Sequence, residues 1–293
     1  MDEVIAFSPA LSSKTGRLLQ AGGEGSSPAR GRRRRAFLSL IRPGHGGCHT
    51  GCRPTVALAL ALSSVALLPI SGIRAAASDS RLSSLERAVI ANPEDLRVCA
   101  EYRQQAIALG EFDRAISLFK TLTGKSASGP NAFISLALAY IDKVPVATPF
   151  RRIFLGRDAM LAASQAIARE PLLLAYFIRG LAALYYPDAV FHRARGGIAD
   201  LEYVRQRLSG LSPEPYHARV FMSLGDGYWK VHELPHALSI WTEGLRRFPE
   251  NAALRERVSL GGADLDQVVG RSLDPAIRVD TSLNELFAGR LNP

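Results

Sequence analysis

The sequence predicts an all-α fold, an α-solenoid of stacked helix–turn–helix repeats. Three observations predict it. Residues 217–250 (HARVFMSLGDGYWKVHELPHALSIWTEGLRRFPE) hold two helical apolar patterns joined by a short turn and closed by Pro249. The same order of bulky and small residues recurs at intervals upstream. A second turn, Gly110-Glu111-Phe112-Asp113-Arg114-Ala115, aligns with the first: Gly110 suits the positive φ that ends a helix and Asp113 the start of the next.

Within residues 217–250, Phe221, Leu224, Gly225 and Tyr228 give the spacing W/F-x2-L-G-x2-Y of one helix. Ala237, Trp241 and Gly244 give A-x3-F-x2-A/G of its partner. Small Gly225 and Ala237 let the helices approach, and Phe221, Tyr228 and Trp241 fill the seam. This pattern resembles the tetratricopeptide repeat, a helix hairpin of about 34 residues. One hairpin cannot bury such a seam alone, so neighbours must stack on it.

The chain starts with an address rather than a fold. Residues 1–77 hold ten Lys/Arg against three Asp/Glu, and this net +7 accounts for most of the formal +9. The remainder is close to neutral, which removes the support that a basic chain would lend to nucleic-acid binding. Residues 8–53 are rich in Ser, Gly, Pro and Arg without helical period. Arg32-Arg33-Arg34-Arg35 before Ala36-Phe37-Leu38 resembles a twin-arginine signal, but residues 42–53 interrupt the apolar region that should follow at once. The simpler reading is a basic, solvated leader. Residues 55–73 carry no charge and lead to Ala75-Ala76-Ala77, the pattern of a secretory signal cleaved after Ala77. The alternative is an uncleaved membrane anchor, since 19 residues just span a bilayer. The expected location is therefore exported, periplasmic or secreted, with a membrane-anchored chain or a plastid lumen as alternatives. His45, Cys48, His49 and Cys52 have ligand chemistry but sit among glycines, without the packed frame a zinc site needs. Without the leader only Cys99 remains, so no intrachain disulfide forms. Its expected role is a small buried hydrophobe.

The repeat domain is expected over residues 78–258. A half-repeat at 81–93 places Leu85 and Ala88 at second-helix positions and ends at Pro93. Repeats follow at about 96–125, 131–171, 173–210 and 217–250, with a capping helix at 251–260 whose Arg255 and Arg257 face outward. The second-helix alanines Ala115, Ala159, Ala199 and Ala237 are 44, 40 and 38 residues apart, so the loops vary while the helices persist. The largest surplus is an insertion at 144–156 with two prolines, two arginines and two phenylalanines, either a binding loop or an elongated turn. Tyr185, Tyr186 and Phe191 read as interhelix core. Residues 261–293 form a C-terminal extension: a short helix, then an irregular tail with a last helix at 282–286 and a few apolar residues to dock on the array.

His232-Glu233-Leu234-Pro235-His236 matches the zinc-hydrolase motif H-E-x-x-H. That chemistry needs both histidines on one face of a continuous helix. Here His232 aligns with the turn residue Gly110, and Pro235 suits the first turn of a new helix rather than a helix interior. The motif therefore reads as a turn.

The resemblance implies a non-enzymatic protein–protein interaction module without cofactor or metal. It would bind a peptide or protein partner on the concave surface lined by first helices, as adaptor, assembly factor or scaffold. Carried over by register, the groove positions are Arg97, Gln104, Asn131, Asp142, Arg219, Asp226, Trp229 and Lys230. Their mixed charge argues against a simple carboxylate clamp. The competing readings are a zinc-dependent hydrolase through His232, Glu233 and His236, and a structural subunit of an envelope complex anchored through residues 55–73.

Overall fold

The computed structural model describes residues 70–187 and 191–284. Among them are eleven α-helices and no strand. They are α1 (Ile70–Ala91), α2 (Leu96–Leu109), α3 (Phe112–Thr123), α4 (Pro130–Lys143), α5 (Pro149–Arg169) and α6 (Leu173–Leu184). Next come α7 (Ala194–Leu208), α8 (Ala218–Lys230), α9 (Leu234–Arg247), α10 (Ala252–Ser259) and α11 (Gly262–Ser272). Each packs on the next, and α2, α4, α6 and α8 also pack on one another in sequence. The pairs α2/α3, α4/α5, α6/α7 and α8/α9 are thus the four hairpins of an α-solenoid, with α2, α4, α6 and α8 as its first helices.

Local chemistry sets the ends of these helices. The Asp95 carboxylate accepts the Arg97 and Val98 N–H groups and caps α2. At its other end the Gly110 N–H donates to the Ile107 carbonyl and the Glu111 N–H to that of Ala106, with Gly110 at φ 74°. The end of α8 repeats this closure: His232 donates to Trp229, Glu233 to Tyr228, and His232 takes φ 63°. Glu94, outside both helices, accepts the N–H groups of Gly129 (3.0 Å), Asn131 (2.9 Å) and Ala132 (3.4 Å) and so caps α4 from the preceding repeat. Pro130, Pro149 and Pro235 stand in the first turns of α4, α5 and α9, where a missing N–H costs nothing.

The hairpin seams depend on small residues. Trp241 of α9 is fully buried against α8, its indole N–H donating to the Met222 carbonyl at 3.2 Å. A Cβ at Gly225 would stand 2.2 Å from that indole nitrogen, so only glycine admits the ring. Between α6 and α7 the backbones meet directly: a Cβ at Gly197 would lie 2.7 Å from the Gly180 carbonyl oxygen.

Several expectations change. Among the described side chains of α1, Leu82 and Val89 are buried and Leu85 is half-buried against the core, while Ala88 is exposed, so its place is taken by Val89. The helix also starts earlier, at Ile70, and runs through Ala77 and Ser78 without a break. The insertion at 144–156 is not a loop. It is a 3-10 turn, Val144–Val146, followed by the first turns of a lengthened α5. Arg152 fixes the turn by donating to the carbonyls of Val144, Pro145 and Ala147. Phe150 and Phe154 meet edge to face on its surface, Phe150 being 73 % exposed. Arg257 does not face outward: it is 3 % exposed and ion-paired to Asp226, because α10 turns that side against α8.

Residues 1–69 and 285–293 lie outside the described residues. With them go the arginine run, the leader His/Cys group, most of the apolar stretch 55–73 and the end of the helix expected at 282–286. No helix among the described residues is long and apolar enough to cross a membrane.

Candidate functional site

The first helices and the ends of their partners enclose a groove of about 690 Å³. Its floor is apolar: Leu138 of α4, Phe177, Ile178 and Leu181 of α6, Val204 and Leu208 of α7, and Val220 of α8. The polar rim is Glu94, Asp95 and Arg97 at the start of α2, Asn131 at the start of α4, and Arg219 on α8. One side is closed by the C-terminal tail, through Val279, Asp280, Thr281 and Leu283.

The tail lies across the first helices and is bonded to three of them. Arg219 of α8 donates to the Asp280 carbonyl at 3.1 Å. Arg103 of α2 donates through Nη2 to the Thr281 carbonyl at 2.6 Å and through Nη1 to Asp142 of α4 at 2.7 Å. The Thr281 hydroxyl donates to the other Asp142 oxygen. Arg278 reaches the Asp142 carbonyl at 3.2 Å and lies over the Phe112 ring. Leu283 is buried in the core shared by α2, α4 and α6, at a positive φ of 60° that bulky residues seldom adopt. Burial raises the Asp280 carboxyl, but hydrogen bonds from Ser282 and the charges of Arg219 and Arg103 outweigh it and hold the group below its usual range.

Of the eight positions carried over by register, three line the groove: Arg97, Asn131 and Arg219. Asn131 is engaged there, its side-chain amide donating to the Glu94 carbonyl at 2.9 Å. Asp142 meets the tail. Asp226 is buried under α10 and α11, where it accepts from Arg257 Nε and Nη2 at 2.6 and 2.9 Å and from the Ser272 hydroxyl at 2.6 Å. The Trp229 indole donates to Asp266 of α11 at 3.0 Å, so this helix covers the end of α8. Lys230 donates to the carbonyls of Leu184 and Tyr186 and closes the end of α6. Gln104 is half-buried on α2 and does not line the groove.

Sequence reasoning passed over Arg103, which is only 1 % exposed. A signal for it existed. Arg103 occupies the register position that Ala137, Gly180 and Gly225 hold in the other repeats. An arginine at a close-packed position needs a buried acid or carbonyls to receive it.

His217 is another inward group, 1 % exposed at the edge of the groove. Its Nδ1 accepts the Glu214 N–H at 3.2 Å, and its Nε2 has no partner among the described residues. Burial, with the Arg247 charge added, pushes its pKa below 6.5. The folded chain therefore takes up this proton less readily than the unfolded one. The stability tied to neutral His217 is whole above pH 6.5 and is lost as pH falls through the lowered value. Melting temperatures measured from pH 7.5 to 5 should fall more steeply for the wild type than for His217→Gln.

The segment His232 to His236 does not form a zinc-hydrolase helix. His232 is exposed in the turn at positive φ, and α9 starts only at Leu234, so a break separates the two histidines. Glu233 accepts from Arg195 at 2.6 Å and approaches His236 Nδ1 at 3.0 Å. His232→Gly should raise stability by about 0.5–1 kcal/mol, since glycine takes this φ without strain. A loss of stability in thermal melts would mean that His232 does more than close the turn.

The sequence matches no protein-family model and no curated protein. Solved structures are similar in part. TTC0263, a thermophilic TPR protein of Thermus thermophilus, aligns with 65 % of this chain and 93 % of its own, at 20 % identity and a TM-score of 0.46. BtubC from P. vanneervenii covers 76 % of this chain and 95 % of its own, at 18 % identity and 0.45. MamA covers 66 % and 92 %, at 16 % identity and 0.41.

Proposed function

We propose that this chain is a non-enzymatic interaction module, an adaptor, assembly factor or scaffold, that holds an extended segment of a partner protein on its first-helix face. The groove carries this reading. Its apolar floor suits the side chains of a polypeptide, and its rim carries carboxylates and guanidinium groups together, so neither sign of charge prevails. A rim of one sign would instead select a charged tail or a nucleic acid.

We further propose that the chain is exported and that its mature form begins near Ser78. Asp79, Ser83 and Glu86, which gather on Arg114 of α3, would all stay in such a chain and keep α1 attached. Sequencing the mature N-terminus checks this, and a chain that starts upstream of residue 55 would contradict cleavage.

Photo-cross-linking tests the interaction reading. A photoreactive amino acid replaces Leu211, exposed at the groove, or Leu161, exposed on the outer helix α5. The expected result is one protein joined from position 211 in native extracts and not from 161. Equal labelling from both positions, or labelling of no polypeptide at 211, contradicts the reading.

A further inference from the structure

The tail shows what the groove is built to hold. We propose that residues 278–283 are a built-in occupant of the Arg103–Asp142 seat along one side of the groove, and that the partner segment displacing them is an extended peptide with a Ser or Thr in the place of Thr281 and an apolar residue two positions later. This rests on the interaction reading above and names the chemistry of the ligand.

Arg103 and Asp142 form the seat of the tail. Both are nearly fully buried, at 1 % and 4 % exposure, and they come from neighbouring first helices. A buried ion pair needs further hydrogen bonds to offset its lost hydration. One residue, Thr281, supplies two of them. Its carbonyl accepts from Arg103, and its hydroxyl donates to Asp142. The ion pair therefore reads a backbone carbonyl and a side-chain hydroxyl on a single residue. A residue without the hydroxyl would leave the second Asp142 oxygen unmatched in a dry site. Arg219 donates to the Asp280 carbonyl and helps to fix the path of the backbone. Leu283 enters the apolar core, which explains the apolar requirement two positions on.

Two features indicate a segment that can leave. Among the described residues, few of its side chains hold it to the first helices: Arg278, Thr281 and Leu283. Within 278–283 the chain forms no helix or strand that would resist release, and its own hydrogen bonds are short-range: Ser282 N–H donates to Asp280, and the N–H of the helical residue Asn284 donates to the Ser282 hydroxyl. In addition, the Arg103 Nε–H, buried at the same spot, has no partner among the described residues, so the tail leaves one donor that a better ligand can use.

The test uses the full chain and a fluorescein-labelled peptide of residues 275–284, PAIRVDTSLN, read by fluorescence anisotropy. Thr281→Val weakens the internal tail, so the probe should bind this variant about tenfold more tightly than the wild type. Thr281→Ser, which keeps the hydroxyl, should behave like the wild type. A second probe with Val in place of its Thr should bind each chain about tenfold more weakly than the first. Equal affinity of the two probes, equal affinity of wild type and Thr281→Val, or no binding at all overturns the proposal. If circular dichroism shows Thr281→Val unfolded, comparison of the two probes on the wild type decides alone. Conversion of a dimer to monomers by the probe, seen by sedimentation, also overturns it, because the tail would then belong to a second copy.

The outcomes separate this proposal from the reading beneath it. A partner cross-linked from position 211 through a segment with no Ser or Thr in register leaves the interaction module standing and removes the Thr281 rule. A probe that binds as described, with no polypeptide cross-linked from 211, keeps the tail in its groove and removes the adaptor.

Discussion

Replacing Asp226 by Ala should destabilise the chain by about 3–5 kcal/mol, the largest effect of any polar change considered. The cause is the partner left behind. Arg257 is 3 % exposed, and its Nε and Nη2 both donate to Asp226. Without the carboxylate the cation stays in a dry site with only the Ala253 carbonyl as acceptor among the described residues. The Ser272 hydroxyl loses its bond to Asp226 as well, and this contact ties the end of α11 to α8. Denaturant midpoints followed by circular dichroism measure the loss. The pair as a whole should matter less than either half. Asp226→Leu with Arg257→Met should recover most of the stability, because an apolar pair needs no hydration offset. A single mutant as stable as the wild type would mean that water reaches Arg257.

Gly225→Ala should cost about 1–3 kcal/mol, although alanine is the better helix former. The added methyl would fall 2.2–2.7 Å from three atoms of the Trp241 indole. That ring is fully buried and held to the Met222 carbonyl, so it has no direction in which to retreat. Relief should follow from shrinking the ring. In a Trp241→Phe background the same change should cost less than about 1 kcal/mol, a coupling that a double-mutant cycle reads directly. Equal costs in both backgrounds would place the strain elsewhere.

Much of the array was legible in the sequence because its determinants are local and periodic. Phe221, Gly225, Ala237 and Trp241 mark one seam at fixed spacing. Gly110 and His232 occupy equivalent turn positions, which is why a motif with zinc chemistry could be read as a turn. The surplus residues at 144–156 were visible too, but not their form. Arg152, by binding three carbonyls, turns a Pro-containing insertion into a helix extension.

What the sequence concealed is long-range. Nothing near Arg257 indicates that it faces inward. Its partner Asp226 is 31 positions away on α8, and only the angle at which α10 docks joins them. Arg103 and Thr281 are 178 positions apart, and no repeat period connects a tail to the first repeat. Glu94 capping α4 is a similar case, since a helix cap is normally sought next to the helix it serves. For the groove, register located Arg97, Asn131 and Arg219 at the rim. It said nothing of α11, which covers Trp229 and Asp226, nor of the tail that meets Asp142.

The first-helix face is a binding groove whose one side is already taken by the chain's own end. Hydrogen–deuterium exchange of the full chain tests this most directly, by comparing residues 279–284 in the wild type and in Thr281→Val. The account predicts slow exchange in the wild type, where Thr281, Ser282 and Leu283 are buried, and fast exchange in the variant, with α2 and α4 still protected in both. Fast exchange of the wild-type tail, at the rate of an unstructured peptide, would contradict it.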